Sequence, residues 1–261
     1  QIPARHAILG PLIRSIFIPE KDCEWGIFDY SQQEPRLVVH YGSLKNFTGA
    51  DSFVDAYNTD ASTDFHKMVS EMADIPRKQA KTINLGLFYG MGKGKLMSQL
   101  GLNLEDATEL LNAYHERVPF VKQLMNDTMN KASKKGFVRT LEGRCCRFDL
   151  WEPSNDWGKK ALPLKEAESE YGDNLIKRAW TYKALNRLIQ GSAADQTKKA
   201  MLELAKEGYL AHIQVHDELD FSVANDKDKS RIKEIMEHAV DLQVPSKVDI
   251  ECGDSWGDAG D

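Results

Sequence analysis

Apolar residues form short, dense runs near the two ends of the chain and recur every three or four positions through its middle. Runs of four to eight apolar positions read as strands, and a three-to-four spacing reads as helix. On that basis 27–30 is a strand and 33–40 a helix, with short helices over 52–57 and 65–73. Pro76 stands at the first position of the next helix, a favoured place for proline. That helix runs to about Tyr89, where Gly90, Gly92 and Gly94 break it. Longer amphipathic helices follow over 104–117 and 120–135, divided by Pro119 and closed by Gly136. The pattern then predicts a hairpin from 137–141 and 147–150 about Glu142-Gly143-Arg144, a loop over 151–163, and helices across 164–205 interrupted near Gly191. A second hairpin spans 210–223, a helix 227–241, and a last strand 248–252. There is no internal repeat and no low-complexity linker. With strands at both ends and helices between, the economical topology is α+β: one antiparallel sheet assembled from both chain ends and bearing a helical insertion.

Composition narrows the class without deciding it. The chain has 261 residues, 41% hydrophobic and 28% charged, as expected of a globular protein able to bury a substantial core. No apolar run approaches the ~20 residues of a membrane span, and the opening is not signal-like. Residue 1 is Gln, which points to a fragment or processed product. Cys23, Cys145, Cys146 and Cys252 show no C-x-x-C spacing, which favours a reduced, intracellular compartment. The net charge of −6 looks wrong for a nucleic-acid partner until it is resolved along the chain. Residues 77–147 hold 13 Lys or Arg against 6 Asp or Glu, a local +7, so the remainder carries −13. A basic middle between acidic ends suits a protein that grips phosphates in one part and cations in another. Solvated faces arranged by chance give the same count.

Three islands carry chemistry. C-E-W-G-I-F-D-Y-S-Q-Q-E-P-R (23–36) is an apolar strand ending in Asp29 and followed by turn residues. A-H-I-Q-V-H-D-E-L-D-F-S-V (211–223) is two short apolar runs with His216, Asp217 and Glu218 at the tip. Acids at the ends of two strands are how a two-metal phosphoryl-transfer site is built, since cations roughly 3.5–4 Å apart need anionic oxygen from both sides. Mg²⁺ takes one or two carboxylates and fills its shell with water and substrate phosphates, so Asp29 and Asp217 are the metal-ligand candidates and Glu218 an outer one. Taken singly, Asp29 reads as well as a turn or cap residue, and Asp217-Glu218 as hairpin-tip polarity. The third island is R-K-Q-A-K-T-I-N-L-G-L-F-Y-G (77–90). Residues i, i+4 and i+8 share a helix face, so Arg77, Lys81 and Leu85 align, with Tyr89 a turn further. Such a face offers two cations to a triphosphate and then an apolar surface to a sugar or base. A solvated basic stripe explains the charges but not the glycine-rich exit or the polar Thr82 and Asn84.

Together the islands resemble motifs A, B and C of family A DNA polymerases, the DNA polymerase I type. The resemblance covers nearly the whole chain: Q-I-P-A-R (1–5) is similar to the segment before motif A, and G-D-S-W (253–256) to the usual G-x-x-W ending. It implies a palm over 1–60 and 136–261, carrying motif A and the motif C hairpin (210–223). It implies fingers over 61–135, carrying the motif B helix (76–89). Asp29 and Asp217 would hold two Mg²⁺ ions, with Mn²⁺ as a substitute. Lys81 would contact the triphosphate and protonate the leaving pyrophosphate, with Glu218 completing the catalytic set. Tyr30, Gln32, Glu34, His66, Arg77, Lys81, Leu85 and Tyr89 would form the dNTP site. Within it Arg77 and His66 would hold phosphate oxygens, Tyr89 would close over the templating position, and Glu34 would exclude a 2′-hydroxyl. Gln190 and Asn186, in N-R-L-I-Q-G-S-A-A-D (186–195), would meet DNA near the primer end, and His216 would steady its terminus.

The chain departs from the family pattern at Leu85, where Phe or Tyr is usual, and at Gln33 and Pro35, where aliphatic residues are usual. With the 151–163 loop, these look more phage-like than bacterial housekeeping. No thumb, no proofreading exonuclease and no arginine partner for Gln190 are expected in this stretch. The implied reaction is template-directed addition of deoxynucleotides to a primer 3′-hydroxyl, with primer-template DNA and dNTP as partners. An upstream thumb or exonuclease segment or a processivity factor would assist, in the cytoplasm of a bacterium or phage-infected cell. The rivals are a single-subunit RNA polymerase, a non-catalytic DNA-binding remnant, and a two-metal nuclease. Glu34 with Tyr89 speaks against the first, retention of both aspartates and Lys81 against the second, and the basic helix against the third.

Overall fold

The computed structural model describes residues 6–88, 91, 93–155 and 158–259. The elements run α1 (Leu9–Arg14), β1 (Glu24–Tyr30), α2 (Gln33–Leu44), α3 (Ala50–Thr59), α4 (Phe65–Ala73) and α5 (Arg77–Phe88). Next come α6 (Lys93–Leu100), α7 (Leu104–Arg117), α8 (Pro119–Lys135), β2 (Phe137–Arg139), β3 (Cys145–Arg147), β4 (Leu150–Pro153) and β5 (Leu162–Pro163). The chain ends with α9 (Leu164–Tyr171), β6 (Ile176–Arg178), α10 (Ala184–Lys206), β7 (Ile213–Val215), β8 (Glu218–Val223), α11 (Asp226–Glu237) and β9 (Val248–Gly253). It divides into two compact units. One comprises Gln1–Arg36, Asp60–Ser62 and Ala193–Asp261; the other comprises Leu37–Thr59 and Thr63–Ser192.

The first unit holds the expected antiparallel sheet from both ends of the chain, in the order β7-β8-β1-β9. Side chains alternate across a strand, so the register sorts residues by face. Phe28, Tyr30, Leu219, Phe221, Val223 and Val248 form one face, packed on Ala200 and Leu204 and on Ile232, Ile235 and Met236 of α11. Phe28 and Phe221 meet edge to face at 5.5 Å, a geometry worth about 0.5–1.5 kcal/mol beyond burial itself. Trp25 and Ile27 belong to the other face, with Trp256 and Ala259 against them. Gly26 is required here, because a Cβ would stand 2.7 Å from Val223 Cγ2.

The second unit is mainly helical. Phe53 lies 5.1 Å from both Phe65 and Phe120, and Phe65 lies 6.1 Å from Phe88, so one aromatic cluster ties α3, α4, α5 and α8. Asp64 caps α4 by accepting from the backbone N–H groups of His66 and Lys67, and Asn103 caps α7 through Asp106 N–H. Each such cap satisfies end groups that the helix itself leaves unpaired. Two small sheets accompany the helices, β2-β3 and β5-β4-β6.

Several expectations are corrected. The strand returning from the first hairpin is Cys145–Arg147, not 147–150, and Leu150 opens a separate strand. The stretch read as a loop over 151–163 holds β4 and β5, because β4 finds its partner in β6, a segment the pattern had read as helix. Gly191 does not interrupt α10. It is glycine because a Cβ there would sit 2.6 Å from Thr140 Cγ2. The last helix stops at Glu237 rather than 241, and α6 forms directly after the glycine-rich break. Residues 1–5, Tyr89, Gly90 and Gly92 lie outside the described residues. No helix among the described residues is long and apolar enough to cross a membrane, and all four cysteines are free.

Candidate active site

In the first unit the strand register gathers acids. Asp29 pairs directly with Glu218 on β8 and with Asp249 on β9, while Ile27 pairs with Asp220 and Glu251. Directly paired residues share a face, so these carboxylates stand on the side of the sheet away from the Phe28 cluster. Asp217 enters at the β7-β8 turn, its carbonyl accepting from Tyr30 N–H at 3.4 Å. That turn has only two residues between paired strands, and His216 takes φ 55° at the first of them. Primed turns of this kind ask for a positive φ, a conformation non-glycine residues rarely adopt. Gln214 braces the turn by donating to His216 O at 2.7 Å.

The electrostatics follow from this crowding. Burial, then the charges of Asp217, Glu218, Asp249 and Glu251, push the Asp29 carboxyl up to about 7. Burial also raises Asp217 and Glu218. Asp220, wholly buried, is pushed up to about 8 by burial and the Glu218 charge. Two groups temper the repulsion. Trp256 Nε1 donates to Glu218 Oε1 at 3.3 Å, and the Arg14 guanidinium sits 4.9 Å over the Trp256 ring, where its charge favours ionised Glu218 and Asp220.

Tyr30 and Gln33 are placed differently from a substrate surface. The Tyr30 side chain is buried and donates from its hydroxyl to Met236 O at 2.7 Å. As a side chain it therefore belongs to the core. Gln33 donates to Ala193 O and Thr197 Oγ1, which gives the polar residue at this position a structural reason. Arg36, also buried, donates to the carbonyls of Ser31, Pro245 and Ala61. Gln32 follows β1 at φ 54°, and Glu34 is half-buried in the first turn of α2.

In the second unit α5 buries Ala80, Ile83, Asn84, Leu87 and Phe88 and leaves Arg77 and Lys81 exposed, with Leu85 half-buried. Asp64 accepts from Arg77 Nε at 2.8 Å. Asn84, fully buried, accepts from the Tyr114 hydroxyl at 2.6 Å and donates to His66 Nδ1 at 2.9 Å. Burial, aided by the charges of Lys81 and Arg77, pushes His66 down to about 4, so it is neutral near pH 7. With Nδ1 accepting, the ring proton sits on Nε2, which makes His66 a hydrogen-bond donor. Asn186 is half-buried and Gln190 exposed, both on α10. Asp64 and Tyr114 were not singled out by the sequence, and Trp256 and Asp220, though inside quoted segments, were given no site role. Asn84 was the exception, a polar residue unexplained by a solvated helix.

A sequence profile of DNA polymerase family A matches residues 1–258. The chain belongs to DNA polymerase family A. It is 38% identical over 298 residues to a DNA-directed DNA polymerase of Pseudomonas phage M6, covering 98% of this chain and 41% of that protein. It is 35% identical over 263 residues to DNA polymerase I of Bacillus subtilis (strain 168), covering 96% of this chain and 28% of the relative. Among solved structures it matches the POL domain of Pol1 from M. smegmatis in complex with DNA primer-template and dNTP. That match has a TM-score of 0.78 and 27% identity and covers 100% of this chain and 45% of the other. The family A chain thus spans less than half the length of each of these proteins.

The acids of this family A chain fit a hard cation. Among the described residues no group of three or more His, Cys, Asp or Glu side chains is arranged to enclose a metal. The donor chemistry is instead two neighbouring carboxylates, Asp29 at the end of β1 and Asp217 at the adjoining turn, a number that leaves Mg²⁺ room for water and substrate phosphate.

Proposed function

We propose that this chain carries out template-directed addition of deoxynucleotides to a primer 3′-hydroxyl, with primer-template DNA and dNTP as its partners. The observation that carries the reading is the crowding of Asp29 with Asp217 where β1 meets the β7-β8 turn, where burial and neighbouring acids hold the Asp29 carboxyl up to about 7. Carboxylates massed this way leave a site short of positive charge. Divalent-metal dependence is general to family A polymerases. Two Mg²⁺ ions, or Mn²⁺ in their place, held by Asp29 and Asp217 would lower the pKa of the primer hydroxyl and offset charge on the leaving pyrophosphate.

The residues then have distinct work. The primer 3′-hydroxyl gives up its proton to solvent as its oxygen bonds to the α-phosphorus and the bond to pyrophosphate breaks, and Lys81 gives the departing pyrophosphate a proton. Neutral His66 donates from Nε2 to a phosphate oxygen, and Arg77 exchanges Asp64 for the triphosphate. Leu85 and Tyr89 meet the sugar and base, and Glu34 excludes a 2′-hydroxyl. Gln190, Asn186 and His216 hold the primer end. We read the palm (1–60 and 136–261) as the part holding the four-stranded sheet and the fingers (61–135) as the part holding α4 to α8. An upstream thumb or exonuclease segment or a processivity factor would assist, and the setting is the cytoplasm of a bacterium or phage-infected cell.

The test is primer extension with each dNTP and NTP, for the parent chain and for Asp217→Asn. An amide of the same shape lacks the charge, so extension should nearly vanish while DNA binding persists. Extension by Asp217→Asn within about tenfold of the parent, a difference of only ~1.4 kcal/mol in barrier, would show the site to be misassigned. Equal use of NTPs would favour the RNA polymerase reading.

A further inference from the structure

A cavity of about 290 Å³ opens in the second unit, lined by none of the residues assigned above to the metal, nucleotide or primer. Four cations line it: Lys45 from just beyond α2, Lys131 and Lys135 from α8, and Arg139 from β2. Asp127 is its one lining carboxylate, paired with Lys131 at 2.5 Å. The lining therefore carries a net +3. Helix-dipole compensation explains lysines in the last turn of α8. It does not explain Lys45, brought from another element to within hydrogen-bonding reach of Lys131. That contact, with the Lys131 charge, holds the Lys45 ammonium below its ordinary pKa. Asp127 offsets one of these like charges through Lys131, which leaves three lining cations without a carboxylate of their own in the lining.

The rest of the lining is apolar and aromatic. Tyr41 has its hydroxyl engaged with Ser192 Oγ at 2.7 Å, so its ring is what it offers the cavity. The Arg139 guanidinium lies 5.2 Å over the centre of the Phe137 ring, and both residues line the cavity. Leu124, Val138 and Leu188 complete the apolar part of the lining. Cations beside aromatic rings are how proteins hold a nucleotide outside a duplex: cations take the phosphate and rings take the base. The volume sits near the lower bound of small-ligand sites, about 300–1,000 Å³, which admits one nucleotide and no helix.

We propose that this cavity binds a single nucleotide through its 5′-phosphate and base, either free or as an unpaired residue of a DNA strand. The lysines clamp the phosphate, and Phe137 with Arg139 stacks the base.

Binding is measured without primer or metal, by calorimetry with dTMP and with inorganic phosphate, and by anisotropy with a labelled oligo(dT) of about eight residues. The charge variant is Lys45→Ala/Lys135→Ala. The control Lys165→Ala/Lys227→Ala removes equal charge away from the cavity. At least one nucleotide probe should lose roughly tenfold or more in affinity in the charge variant, about 1.4 kcal/mol, and not in the control. Loss for the oligonucleotide alone assigns the site to a strand; loss for dTMP alone assigns it to a free nucleotide. Phe137→Leu should weaken the nucleotide probe and leave inorganic phosphate unchanged. Arg139→Gln serves as the second charge variant should the double substitution unfold. Equal losses in charge variant and control, or no loss in either, overturn the proposal. Phosphate bound as tightly as dTMP overturns its base-binding half.

Discussion

Asn84 donates to Nδ1 of His66, and that bond decides which ring nitrogen carries the proton. The Tyr114 hydroxyl holds Asn84 in turn, donating to its side-chain oxygen. Three side chains from α4, α5 and α7 thus fix the tautomer of a residue on the polymerase motif's own helix pair. None of them titrates near neutrality, so the arrangement is constant across the working range of pH.

This arrangement has a measurable signature. His66 should remain a neutral Nε2–H tautomer down to about pH 4 in a nitrogen-15 NMR titration. Its folded pKa lies below the unfolded value of 6.5. The unfolded state therefore binds more protons between those values, and stability present above pH 6.5 is lost as pH falls toward 4. His66→Gln should flatten that part of the pH–stability curve. Tyr114→Phe should cost about 0.5–1.5 kcal/mol, one buried hydrogen bond, whereas Asn84→Leu strands two partners and should cost more. A His66 that titrates at its ordinary value in the parent chain would refute the arrangement.

Asp29 has the opposite signature. Its folded pKa of about 7 stands above the unfolded value of 3.8, so the folded state holds the extra proton. Stability should fall as pH rises from near 4 to 7, and above 7 the full penalty applies. Asp29→Asn should therefore melt higher than the parent at alkaline pH without added metal, with a gain that shrinks on acidification. Mg²⁺ should raise the parent's melting temperature, since a ligand bound only by the folded state stabilises it, and should raise the variant's less. A variant no more stable than its parent at alkaline pH would mean the acids are not crowded as described.

The contrast between these two residues also explains what the chain disclosed by its letters alone. Asp29 and Asp217 announce themselves because each ends an apolar run, and helix α7 is bounded by Asn103 and Pro119, signals a few residues away. Contacts set by distant partners left no such trace. Asp64 and Arg77 are 13 residues apart, Asn84 and Tyr114 are 30, and Glu218 and Trp256 are 38. The first hairpin misled for a related reason. Phe148 and Leu150 read as its second strand, yet Arg144 O accepts from Thr140 N–H and pulls the return forward to Cys145. The β4 strand could not be read because its partner β6 lies beyond α9.

Trp256 supplies a third test. Trp256→Phe keeps most of the apolar packing against Trp25 and Ile27 but removes the N–H that meets Glu218. The expected loss is about 0.5–1.5 kcal/mol, one hydrogen bond to a half-buried carboxylate. If the bond positions Glu218 for catalysis, Glu218→Gln should lower extension less in the Trp256→Phe background than in the parent. Strictly additive effects of the two substitutions on extension would show that Trp256 serves packing alone.

Leu85 sits one turn beyond Lys81 on α5, on the row that begins at Arg77, and it is half-buried where its neighbours Asn84 and Leu87 are buried. A leucine there offers a flexible aliphatic surface, with no ring to stack and no hydroxyl to donate. On the polymerase reading this row faces the incoming nucleotide, so the residue after the lysine should bear on how a missing 3′-hydroxyl is tolerated. Leu85→Tyr should ease incorporation of dideoxynucleotides, because its hydroxyl can replace the polar contact that the substrate lacks. Leu85→Phe should change the rate of incorporation more than the dNTP/ddNTP ratio. Being half-buried, both should shift stability by no more than about 1 kcal/mol. Measuring that ratio for the three proteins beside their melting temperatures separates the alternatives. Unchanged ratios with a clear drop in stability would make Leu85 a packing residue and remove it from the nucleotide site.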